Sequence, residues 1–65
     1  MGNRIPRNCK KLEVEFLTNT LLNKKGDKVI ARKTENGWIG EKGDKRFHLF
    51  LGHLRNPEFC KIMPL

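Results

Sequence analysis

His48, His53, Cys9 and Cys60 are the side chains best suited to hold a transition metal or to pair a nucleophile with its base. The chain has no Cys-x2-Cys or His-x3-His spacing of the kind that zinc sites place on one element. Cysteine–histidine catalysis also needs an oriented pair beside an oxyanion pocket, and nothing in these spacings argues for one. Glu13 and Glu15 share one strand face, where a water-exposed acid pair serves solubility at a sheet edge. No glycine-rich phosphate cradle opens a helix, so nucleotide hydrolysis is excluded. No catalytic residue, metal site or cofactor is therefore assigned, and the chain reads as a non-enzymatic protein.

Positive charge is the chemistry that remains. Fourteen Lys and Arg face seven Asp and Glu, for a net charge of +7 and a pI near 9.9. Such a balance is the footprint of binding to nucleic acid or another polyanion. Arg4, Arg7, Lys10 and Lys11 lie in an N-terminal arm that holds no acid before Glu13. A second set sits at turns: Lys24, Lys25 and Lys28 at one, Lys42, Lys45 and Arg46 at another, with Arg32 and Lys33 beside a hairpin. Asp27, Glu35, Glu41 and Asp44 dilute that field. Trp38 has two possible roles, stacking on an exposed base or filling the core.

Sixty-five residues make one domain with a modest core and a surface or shallow groove for function. The first residues lack the apolar run of a secretory signal, and Pro6 stands where a myristoylation signal wants Ser or Thr. No apolar run approaches the ~20 residues that span a bilayer. A cytoplasmic protein with reduced Cys9 and Cys60 is the expectation.

The elements that carry these charges follow from periodicity and turn chemistry. Residues 1–11 read as a flexible or extended basic arm. Leu12-Glu13-Val14-Glu15-Phe16 alternates as a half-buried strand. Residues 17–22 are a loop or brief helical turn, with Leu21 and Leu22 packed. Asn23 to Asp27 is a turn, and residues 28–33 are a second strand. Asn36-Gly37 marks a tight hairpin with left-handed geometry at both central positions. Residues 38–41 return from it, and residues 42–45 turn again. Residues 46–51 alternate with Phe47, Leu49 and Leu51 on one side and Arg46, His48 and Phe50 on the other. Residues 52–57 have room for one helical turn, and residues 58–63 form a last strand. The expected fold is all-β, a small five-stranded antiparallel barrel over residues 12–65.

Over residues 12–63 the chain resembles an SH3-like domain. Lys25-Gly26-Asp27, Asn36-Gly37-Trp38, Gly43-Asp44, Leu49-Phe50, the connector near Leu54 and Cys60-Lys61-Ile62 fall in that family's order. Peptide-binding SH3 grooves use tyrosines, a second tryptophan and a proline for PxxP ligands. This chain has no Tyr, Ile39 in place of the tryptophan and Leu51-Gly52 in place of the proline. Residues 24–43 are also similar to KOW-type motifs, which implies RNA or polymerase partners.

The leading expectation is an accessory or regulatory protein, of the kind viruses and mobile elements encode, that binds DNA or RNA through backbone phosphates. Arg4, Arg7, Lys10, Lys11, Lys24, Lys25, Lys42, Lys45, Arg46 and Trp38 are its candidate contacts. The alternative is an interaction module that docks on an acidic protein partner and modulates it.

Overall fold

A computed structural model describes residues 2–21 and 23–65. The alternation of Leu12, Val14 and Phe16 with Glu13 and Glu15 produces β1 (Lys11–Phe16), its three apolar side chains buried. β2 (Lys28–Thr34) pairs with it antiparallel, setting Leu12 opposite Ala31 and Val14 opposite Val29. β3 (Gly37–Lys42) and β4 (Lys45–Leu49) extend the sheet on one side. β5 (Cys60–Pro64) joins the far side of β1, with Ile62 opposite Val14 and Cys60 opposite Phe16. The fold is all-β, with sheet order β4-β3-β2-β1-β5.

The sheet is not closed into the expected barrel: β4 and β5 are its edges and, among the described residues, do not pair with each other. A four-residue helical turn, α1 (Leu51–Leu54), connects β4 to β5 in the chain. It drives Leu54, 1% exposed, into the core formed by Leu12, Val14, Phe16, Val29, Ala31, Trp38, Leu49 and Cys60. Burying each such aliphatic or aromatic side chain is worth ~1.5–3 kcal/mol.

The hairpins explain where the strands stop. Thr34 pairs with Gly37, so Glu35 and Asn36 are the central residues of the first hairpin. Neither has positive φ, whereas Gly37 has φ +116°. The expected left-handed Asn-Gly centre is thus replaced by a right-handed turn whose following glycine absorbs the positive φ. In the next hairpin Lys42 pairs with Lys45 around Gly43 (φ +60°) and Asp44. Glycine at the first central position matches the strand twist there.

Two expectations for side chains fail. Leu21 is fully exposed rather than packed, in a segment whose described residues form no helical turn; Leu22 lies outside the described residues. Leu51, half exposed, does not continue the inward row of β4. The strand ends at Leu49, and α1 turns Leu51 outward.

The N-terminal arm is docked rather than free. Asn3 donates its backbone N–H to the Arg55 carbonyl at 2.8 Å. Its Nδ2 donates to the Leu54 carbonyl at 3.0 Å and the Cys60 carbonyl at 2.8 Å. Ile5 and Cys9 pack against the core. Asn3→Ala removes these two bonds from the carbonyls of buried Leu54 and Cys60, and should cost roughly 2 kcal/mol. Urea unfolding read by circular dichroism checks the value; a midpoint unchanged from the parent protein would mean that the arm contributes nothing to stability.

Both cysteines are free thiols. Cys9 donates from Sγ to the Lys11 carbonyl at 3.0 Å, whereas burial pushes the Cys60 thiol up to about 11 from the ordinary 9.0. The unfolded chain therefore loses this proton before the folded one. The thiol's contribution to stability is intact below pH ~9 and fades as pH rises toward 11. Iodoacetamide at mildly alkaline pH should label Cys9 and spare Cys60 in the native protein. Rapid double labelling without denaturant would contradict that burial.

Candidate nucleic-acid interface

An antiparallel meander alternates the ends at which its turns lie. The β1–β2 and β3–β4 turns share one end of the sheet. The β2–β3 turn and the segment leading into β1 share the other. This topology divides the basic residues into separate groups.

The first end carries Lys24, Lys25 and Lys28 from one turn and Lys42, Lys45 and Arg46 from the other. Asp27 joins the turns by accepting from Lys42 Nζ at 2.9 Å. The Lys24 backbone N–H reaches the same carboxylate oxygen at 2.9 Å. That N–H first, and Lys42 second, hold the Asp27 carboxyl below its ordinary range. The contact is therefore formed above the usual carboxylate pKa and is lost as pH falls through the lower folded value. Lys28 lies 4.0 Å from Glu13, and Arg46 lies 3.9 Å from Glu41. Among the described residues no carboxylate comes within 4.0 Å of Lys24, Lys25 or Lys45. These three have the least internal competition for a phosphate.

The arm does not join this group. Lys33 donates its backbone N–H to the Lys10 carbonyl at 2.9 Å, which puts Lys10 at the opposite end of β2. Arg7, Lys10 and Lys33 border one shallow depression there with Glu35. The seven residues of β2, at ~3.3 Å each, separate the two ends by roughly 20 Å. Lys11 sits on the outer sheet face opposite Arg32, which is 4.0 Å from Glu41. Arg4 is exposed beside Asn3, near the α1 end of the molecule. Trp38 is 5% exposed and belongs to the core cluster. Of its two roles, packing is the one the geometry supports, since the ring presents no free face to a base.

Sequence reasoning did not assemble the aromatic groove at the edge formed by β4 and α1. Phe16, Phe47, His48, Phe50, His53 and Phe59 line a depression of about 310 Å³. Five of these rings make a ladder from core to surface. Phe16 meets Phe59 edge-on at 5.8 Å, and Phe59 stacks on His53 at 4.5 Å. His53 meets Phe50 at 5.7 Å, and Phe50 meets His48 at 6.2 Å, both edge-on. Phe50, one ring in from His48 at the outer end, is 63% exposed. The opposite wall is the loop bearing Asn19, Thr20, Leu21 and Asn23. The run Phe47-His48-Leu49-Phe50 was the available signal, but it reads as an uninterrupted strand unless Phe50 is known to leave it.

Among the described residues no three His, Cys, Asp or Glu side chains gather as a metal-binding group, and no helix is long and apolar enough to cross a membrane. Comparison with family models, curated proteins and solved structures gives no match for this chain.

Proposed function

We propose that the protein is a non-enzymatic, SH3-like module that binds nucleic acid through backbone phosphates at the end of the sheet bearing Lys24, Lys25, Lys42, Lys45 and Arg46. The strand order and the helical turn before the last strand support the SH3-like reading. The observation that carries the function is the joining of two basic turns by the 2.9 Å Lys42–Asp27 contact. It makes one convergent positive surface from segments about twenty residues apart. Lys24, Lys25 and Lys45 supply its three least-compensated charges. Without a recognition helix for the major groove, this surface favours phosphate tracking over base sequence.

Each phosphate neutralised contributes ~0.7–0.9 to the slope of log affinity against log salt. Lys24→Ala/Lys25→Ala/Lys45→Ala should therefore lower that slope by about 2 to 3. Arg7→Ala/Lys10→Ala, at the far end, should change it far less. Fluorescence anisotropy with labelled DNA and RNA across a salt series measures both. An unchanged slope in the triple variant would reject the assigned end. A parent protein that binds no strand at low salt would reject nucleic acid as the ligand.

A further inference from the structure

The aromatic groove adjoins the proposed phosphate surface through one loop. Asn23, which lines the groove, directly precedes Lys24. Asn19, on the same wall, accepts the Lys25 backbone N–H at 2.9 Å. The chain that presents Lys24 and Lys25 is thus the chain that shapes the groove. Among the described residues no Asp or Glu lines it, although such residues occur in the nearby turns. A polyanion entering here meets rings and amides without a repelling carboxylate.

Two features of the groove point to a planar, hydrogen-bonding guest. Phe50 and His53 stand edge-to-face at 5.7 Å, and Phe50 leaves much of its surface to solvent. An exposed ring of this kind offers a stacking face to any base. Asn23, only 5% exposed, keeps its Oδ1 without a hydrogen-bond partner among the described residues. A buried acceptor left unmet is destabilising. The amino and imino N–H groups along a base edge are donors of the type this oxygen lacks.

We propose that the groove takes an unpaired base of a single strand, stacked on Phe50, while the adjoining phosphates lie on Lys24 and Lys25. The inference rests on the phosphate-binding reading above and adds a preference for single strands. A duplex keeps its bases stacked internally and gains only the charge contacts.

The test compares a short labelled single strand, the same strand with abasic sites, and its duplex at equal phosphate count, for the parent protein, Phe50→Ala and His53→Ala. The intact strand should bind the parent protein about tenfold or more tightly than the abasic strand. Phe50→Ala should erase that advantage and leave the salt slope intact, because it removes no charge. Near-UV and far-UV circular dichroism of each variant verify that the fold is retained. Equal binding of intact and abasic strands by the parent protein would overturn the groove assignment while leaving the phosphate surface standing. Binding of no strand would overturn both. Phe50-dependent capture of an apolar peptide, with strand binding indifferent to Phe50, would give the groove to a protein partner and overturn the proposal.

Discussion

Phe16→Ala is expected to leave most molecules unfolded under conditions where the parent protein is folded. Three parts of the molecule meet at this residue. Its ring is 2% exposed and meets Phe59 edge-on at 5.8 Å. Its backbone pairs with Cys60 of β5. Its N–H donates to the Asp27 carbonyl at 2.9 Å, and its own carbonyl accepts from the Gly26 N–H at 2.7 Å. Truncating a buried phenylalanine to alanine costs ~3–5 kcal/mol, part of it for the cavity that remains. A chain of this size has a total stability of only about 3–10 kcal/mol. The loss therefore rivals the whole margin. Phe16→Leu, which keeps most of the volume, should stay folded with a lower melting temperature. Thermal unfolding read by circular dichroism distinguishes them. A cooperative Phe16→Ala transition within a few degrees of the parent would mean that the core does not depend on this ring.

The strands were legible because their signals are local. Leu12-Glu13-Val14-Glu15-Phe16 yields the correct inward face for β1, since period-two alternation beside a core leaves no other economical arrangement. The glycine-bearing turns bound β2, β3 and β4 to within a residue or two, except where Phe50 and Leu51 leave the sheet. There the apolar row Leu49-Phe50-Leu51 carries no polar residue to signal the exit. Asn3 was illegible for a different reason: its acceptors at Leu54 and Cys60 are 51 and 57 residues away. No local rule connects a polar side chain in an arm to those carbonyls.

The candidate basic surface was half legible. Lysines at turns announced positive charge, but which turns share an end depends on strand neighbours. Once β1 runs antiparallel to β2, the residues before β1 must lie beside those after β2. That adjacency separates Arg7 and Lys10 from Lys24 and Lys25, and no composition measure contains it. The groove is less legible still, because it needs Phe59 and His53 to stack across a connector.

Gly40→Val should destabilise the protein by about 3 kcal/mol, near the upper end for overpacking a filled interior. Gly40 is buried in the middle of β3, opposite Ala31 on one side and Phe47 on the other. A Cβ at this position would lie 2.6 Å from Phe47 Cε2, 2.8 Å from Phe47 Cζ and 3.1 Å from Leu49 Cδ1. The Phe47 ring occupies the space a side chain would take, covering the glycine across the strand pair. Valine must displace it toward the groove that Phe47 also lines, because the inner side is closed by Trp38 and Leu49. Most of the strain should go when the ring is absent, leaving the 3.1 Å contact with Leu49. Gly40→Val/Phe47→Ala is therefore expected to be more stable than the sum of its single substitutions implies, with a coupling of ~1 kcal/mol or more. Urea unfolding of all four proteins measures the cycle. Strict additivity would mean that Phe47 swings aside without resistance, and the steric link between the core and the groove would then be absent.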